Sequence, residues 1–341
     1  MYNRLLRHLQ LVLALLAFGV LTARGATAQE VWFSPWSASS GPKDYMALFQ
    51  PNSPWQRAAA HVKVFEISGH TILGQPQTDF IAEMDLRNMF SDLKRRHINL
   101  EIGIEPLTAP GQRGPTNCAY HVEGYGGPQP LAVAKRAKAL GADAEFFGMD
   151  EPLYFGHAFG SPDGKHGCHA SIAEIARDVA NTVHQVRSVY PGVKFGDVEP
   201  MSFADNDPWF KNGVWLADLS TWFDSYEAAT GEKLAFFRID AWWTKRFAEN
   251  MPALARLLRA KGIPLQIIYN GNGQDKTDSA WIASAVSHFK QFESGNWPLP
   301  DAAVIEFWTP NPSRVLPETD PLTATGLIDQ YLDWQETRSR Q

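Results

Sequence analysis

LEIGIEP, residues 100–106, is a short apolar run that ends in Glu-Pro, and the pattern returns as FFGMDEP at 146–152 and VKFGDVEP at 193–200. Glu105, Glu151 and Glu199 are thus 46 and 48 residues apart, close to the length of a strand, a helix and their two loops. The spacing predicts a repeating β/α chain in which each of these carboxylates marks the C-terminal end of a strand. Working outward, β-rich runs of the same kind stand at 31–35, 62–67, 100–105, 145–150, 193–199, 234–240, 264–269 and 302–308. Strands alternating with helices imply a parallel sheet, and eight such units imply an α/β chain folded as a single-domain (β/α)8 TIM barrel. In that fold the loops at the C-terminal strand ends converge to build the active site.

The helices between the strands are legible. Residues 79–97 place Phe80, Met84, Met89, Phe90 and Leu93 at three- and four-residue spacings, and Lys94, Arg95 and Arg96 suit the negative end of a helix dipole. Stretches 170–188, 245–261 and 276–292 are patterned alike, with Gly192 and Gly262 expected as C-terminal caps. The first unit is weak, because only Trp55 to Ala60 remains for its helix. Gly and Pro cluster at 106–130 and 155–169, which predicts two long loops over the active rim.

Residues 1–29 read as a secretory signal: Arg4 and Arg7, then an apolar run from Leu9 to Leu21, then Ala26-Thr27-Ala28. The catalytic domain is then 30–341, exported to the periplasm or medium, free of the membrane after cleavage and expected as a monomer. Removing the segment takes away three arginines and no acid, so 31 basic and 37 acidic residues become 28 and 37. The resulting charge of −9 argues against nucleic acid as a partner. Cys118 and Cys168, the only two cysteines, follow successive strands, which predicts one loop-to-loop disulfide.

Strand side chains alternate in direction, so parity groups the residues that can point inward together. It groups Glu101, Gly103 and Glu105; Asp197 and Glu199; Arg238 and Asp240; Gln266 and Asn270; and Glu306 and Trp308. Strands four, six and eight bring Glu151, Asp240 and Glu306 to similar depth, since barrel layers draw on alternate strands. Paired carboxylates are what glycoside hydrolysis needs, one to protonate the leaving oxygen and one to attack or to activate water. Trp242, Trp243 and Trp308 offer flat apolar faces for sugar rings.

At Asp150-Glu151-Pro152 the sequence resembles the large clan of retaining (β/α)8 glycoside hydrolases whose strand four ends in Asn-Glu-Pro. The resemblance implies that Glu151 is the general acid/base. Asp150 then replaces the asparagine that contacts the sugar 2-hydroxyl, and Trp308 is similar to the tryptophan beneath the sugar. The chain departs from the clan at strand seven, where IIYNGNG carries Asn270 and no acidic nucleophile. Parity with Trp308 makes Glu306 the expected second catalytic carboxylate, with Asp240 and then Glu199 as alternatives. Glu105, Asp150, Arg238, Trp242, Asn270 and Trp308 are expected to bind carbohydrate, without cofactor or metal.

Two other readings stand beside this one. A metal-dependent barrel enzyme would draw on His157, His166 and His169, although their spacing matches no zinc signature. A carbohydrate-binding barrel without catalysis is favoured by the missing strand-seven acid. No GxSxG elbow and no glycine-rich phosphate loop occurs.

Overall fold

The computed structural model describes residues 29–35, 42, 44–74, 80–108, 118–119, 122–127, 129–160, 167–203, 206–295 and 297–340. Apart from Gln29, the signal-like segment lies outside these. Eight parallel strands hydrogen-bond in chain order and close on themselves, β8 against β1. They are β1 (Glu30–Pro35), β2 (Val62–Ser68), β3 (Asn99–Ile104), β4 (Ala144–Asp150), β5 (Lys194–Met201), β6 (Phe237–Ala241), β7 (Leu265–Tyr269) and β8 (Ala302–Phe307). The chain is a single-domain (β/α)8 barrel with every expected strand present. β5 and β7 start one residue late and β6 three, at Phe237 and not Leu234, although Ala235 N–H already donates to Phe195 O at 2.7 Å.

Helices cover the outside, and their ends follow local chemistry. Ser171 and Glu174 form a reciprocal capping box at Ile172–Arg187, and Thr244 caps Lys245–Lys261, which Gly262 ends at φ 71°. Gly192 is not a cap; its helix ends at Arg187, and the glycine lies in the turn that leads to β5. The first unit's helix is the short Gln56–His61. The helix expected over 79–97 runs from Glu83 to Arg95 and buries Leu86, Met89, Phe90 and Leu93. Phe80 and Met84 are exposed instead, because the buried stripe begins one turn later. At the far end of the barrel the Glu293 carboxylate accepts from Gln29 Nε2 at 2.9 Å, Tyr269 OH at 3.0 Å and Tyr331 OH at 2.7 Å. It thereby ties the last helix, Ala324–Ser339, to β7 and to the start of β1.

The register decides what fills the barrel. Gly103, Gly148 and Gly196 stand side by side on β3, β4 and β5. A Cβ on Gly148 would overlap Glu101 Oε1, and one on Gly196 would overlap the Phe236 ring. The glycine row is therefore the space that these larger side chains occupy. Arg238, 1% exposed, crosses that space. It donates to Glu66 Oε2 at 2.6 Å, Glu101 Oε2 at 2.5 Å and Gln266 Oε1 at 3.0 Å. Its guanidinium also lies over the Trp32 and Phe236 rings, at 5.4 and 4.8 Å. A fork of fixed donors suits this three-way arrangement better than a lysine ammonium would. Trp32, Val64, Phe236, Ile268 and Val304 form the barrel's inner apolar core, while Phe147, Met149, Ile239 and Ile305 seal sheet to helices.

Candidate active site

The C-terminal rim opens into a cleft of about 1180 Å³. Alternate strand residues supply its walls: Ser34 from β1, Glu66 and Ser68 from β2, Gly148 and Asp150 from β4, Asp240 from β6 and Glu306 from β8. Trp242 and Trp308 line it with 56% and 37% of their surfaces still open to solvent, so two flat apolar faces are available to a ligand.

Glu151 stands one residue past β4. Its N–H donates to Val198 O at 3.0 Å, adding one rung to the ladder, yet its φ is 51°. The left-handed region costs a residue with a Cβ about 1–2 kcal/mol, so its neighbours must hold it there. Phe155 N–H returns to Glu151 O at 3.2 Å as the chain enters a π-helical turn at Tyr154–Ala158. Glu199 accepts from Leu153 N–H at 2.7 Å and Tyr154 N–H at 3.0 Å. The Glu151 side chain itself is 7% exposed, lines the cleft and has no hydrogen-bond partner among the described residues.

Glu199 and Asp197 correct the parity expected for strand five. Gly148 pairs with Gly196 and Asp150 with Val198, and residues in register on adjacent strands share a face. Val198 and Pro200 therefore line the cleft, and the two acids point outward. Asp197 accepts from Trp222 Nε1 at 2.7 Å on helix Trp215–Thr230. Glu199 is thus a brace behind Glu151 and lies outside the cleft.

Asn270 and Arg238 also fall outside it. Asn270 has left β7, and its Oδ1 accepts from Trp243 Nε1 at 3.1 Å against the helix layer. Arg238 lies under the floor, with Nη1 3.9 Å from Glu306 Oε2. Glu105 does line the cleft and pairs with His70 Nε2 at 3.1 Å. Glu306 Oε2 has no hydrogen-bond partner among the described residues.

Burial dominates the electrostatics. It pushes Asp150 up to about 8, helped by Glu105 and Glu123, and Asp240 up to about 7, helped by Glu123. Glu151 is held well above the usual carboxylate range by burial and then by Asp150 and Asp240. Glu306 is also raised by burial and by Glu66, but Arg238 pulls it the other way. Below the floor, Glu101 rises to about 8 because burial outweighs its bond to Arg238.

Sequence reading overlooked Glu66, His70 and Glu123, all of which line the cleft. Glu66 shares inward parity with Val64 and was visible in VKVFEI; Glu123 sits in a glycine-rich loop where no periodicity operates. Cys118 and Cys168 are bonded, Cα to Cα 4.9 Å, and join the loops after β3 and β4 as expected. His157 Nδ1 meets Ala170 O at 2.7 Å, His169 lines the cleft, and His166 lies outside the described residues. Among the described residues no three His, Cys, Asp or Glu are placed to hold a metal ion, and no helix is long and apolar enough to cross a membrane.

Fold and site together define a parallel barrel with an acidic, tryptophan-flanked cleft over its C-terminal rim. No protein-family model matches the chain, and no curated protein does. Among solved structures it is similar to a glycoside hydrolase family 30 subfamily 8 xylanase from Clostridium acetobutylicum. That match has 12% identity and a TM-score of 0.49, covering 92% of this chain and 73% of the other. A GH18 chitinase from Pseudoalteromonas aurantia matches at 8% identity and TM-score 0.47, covering 89% and 99%. An aldolase, the DAHP synthase of Thermotoga maritima, matches at 8% and 0.46, covering 91% and 70%. Hydrolases and an aldolase appear together, and at these identities the likeness is one of fold alone.

Proposed function

We propose that the chain is a glycoside hydrolase that cleaves a poly- or oligosaccharide with Glu151 as general acid and Glu306 as general base. The observation that carries this reading is the contrast between the two carboxyl environments. The leading influences on Glu151 all favour the protonated form: burial, Asp150, Asp240, Glu123 and Glu199. Glu306 is also raised by burial and by Glu66, but unlike Glu151 it has a cation beside it, Arg238, which favours the ionised form. Environments that drive two carboxyls apart assign acid and base.

In the proposed step the Glu151 proton passes to the glycosidic oxygen as the bond from that oxygen to the anomeric carbon breaks. Water attacks the same carbon from the opposite face, and its proton passes to Glu306. β4 and β8 lie on opposite sides of the barrel. That placement supports a wide gap with room for water. Trp242 and Trp308 would carry the flanking sugar rings, and Glu105 and Asp150 would bind hydroxyls. The leader-like residues 1–29 support export.

The test is release of reducing ends from a panel of polysaccharides by the wild-type protein and by Glu151→Gln and Glu306→Gln. Each substitution is expected to reduce turnover by about 10²–10⁴-fold while glycan binding persists. Glycan binding without turnover by the wild type would instead favour the binding-only barrel, and loss of turnover in a chelator the metal-dependent one.

A further inference from the structure

We propose that Glu66 is a positioning residue for the general base: by holding Arg238 Nη1 it keeps Glu306 beside the cation but unbonded to it, free to accept a proton from the attacking water. The role of Glu306 as base is taken from the hydrolase reading above, on which this assignment rests.

Two carboxylates face one nitrogen. Glu66 Oε2 accepts from Arg238 Nη1 at 2.6 Å, whereas Glu306 Oε2 stands 3.9 Å from the same atom, beyond hydrogen-bond reach. The two distances laid end to end put the carboxylate oxygens no more than 6.5 Å apart. Strand order brings them there. Glu66 is on β2 and Glu306 on β8, with β1 between them, and β1 presents Ser34 in register with Glu306. All three line the cleft, and a serine takes up little of the space between two glutamates.

Each nitrogen of the guanidinium already serves another residue. Nε donates to Gln266, Nη1 to Glu66 and Nη2 to Glu101, and the Trp32 and Phe236 rings lie against the group. Glu306 Oε2 is buried and has no hydrogen-bond partner among the described residues. A carboxylate bonded to a guanidinium is a weak base, because the bond favours its ionised form. Glu306 escapes that bond because Glu66 takes it. Burial and then Glu66 raise Glu306, as do Glu101 on β3 and Asp240 on β6, while Arg238 pulls it the other way. A base must be ionised at the working pH and still hold a proton firmly enough to take one from water. A carboxylate close by and a cation kept out of bonding range set that balance.

The experiment compares the wild-type protein with Glu66→Gln, whose amide oxygen can still accept from Arg238 Nη1 but carries no charge, so the fold is expected to persist. Glu306 is titrated directly by carboxyl-carbon NMR of protein isotopically labelled on glutamate, with Glu306→Gln assigning the signal. Its midpoint is expected to fall by about one pH unit or more in Glu66→Gln, and the acidic limb of kcat/KM to move down with it. Glu66→Asp, which keeps the charge, is expected to shift both by less. A midpoint that Glu66→Gln leaves unmoved overturns the inference. So does a loss of turnover in Glu66→Gln as large as that in Glu306→Gln with the acidic limb in place, which would make Glu66 the base itself. A shifted midpoint in a protein whose Glu306→Gln variant still turns over supports the link between the two glutamates and sinks the hydrolase reading's choice of base.

Discussion

Arg238 Nη2 and Glu101 Oε2 lie 2.5 Å apart in the closed interior of the barrel, the arginine 1% and the glutamate 0% exposed. They come from β6 and β3, on far sides of the sheet, so their bond spans the barrel beneath the cleft. The same guanidinium bonds Glu66 and stands 3.9 Å from Glu306, so a single cation serves these three carboxylates.

Removing that cation strands Glu66 and Glu101. Arg238→Met is expected to destabilise the fold by about 3–5 kcal/mol, the usual cost of orphaning a buried ionic partner. Urea denaturation checks this. A double variant that also carries Glu101→Gln should recover part of the loss; no recovery would show that the pair is not coupled.

The raised carboxyls predict an acid-stable protein. Asp150 and Glu101 are pushed up to about 8 and Asp240 up to about 7, from ordinary values of 3.8 and 4.5. Between those limits the folded state holds protons that the unfolded chain has released, so stability falls as pH rises from about 4 to 8. The Tm should be lower by at least roughly 5 °C at pH 8 than at pH 5, and Asp150→Asn should flatten the slope. A Tm that is flat or rises with pH contradicts the burial of these groups.

The glycine row predicts a contrast. Gly196→Ala places a methyl in the Phe236 ring and should cost about 1–3 kcal/mol. Gly192→Ala meets nothing within 4 Å and its φ is not positive, so it should fall within about 0.5 kcal/mol of the parent. Chemical denaturation of the two variants separates them.

Trp242 and Trp308 predict a binding effect. Replacing either by Ala should raise KM roughly tenfold at nearly unchanged kcat, because a ring platform serves substrate and transition state alike. A fall in kcat alone would place these rings in the chemistry and not beneath the flanking sugars.

The Cys118–Cys168 bond closes a separation of 50 residues. On the chain-entropy view its removal costs about 4 kcal/mol. Cys118→Ala/Cys168→Ala should therefore melt well below the parent, and a reductant should lower the parent's Tm while leaving the double variant unchanged.

Much of this molecule was legible one residue at a time. All eight strands were visible because buried parallel strands are short β-rich runs, and three of them carried a Glu-Pro marker that placed the rim. Glu105, Asp150, Glu151, Asp240, Glu306, Trp242 and Trp308 do line the cleft. Glu199, Asn270 and Arg238 do not. A strand read alone can place its inward face on either parity, and a one-residue choice moves every side chain to the other side.

The sequence by itself determined the barrel, since alternation of strands with amphipathic helices at a steady period is a property of the linear chain. It also marked the rim on which the cleft opens. Only the tertiary structure decided that Glu199 braces the turn behind Glu151, because the pairing of Asp150 with Val198 sets which face of β5 looks inward. Only it brought Glu123 from a loop to the same cleft that Asp150, Glu151 and Asp240 line. Those relationships join residues distant along the chain, and burial and mutual charge act through space.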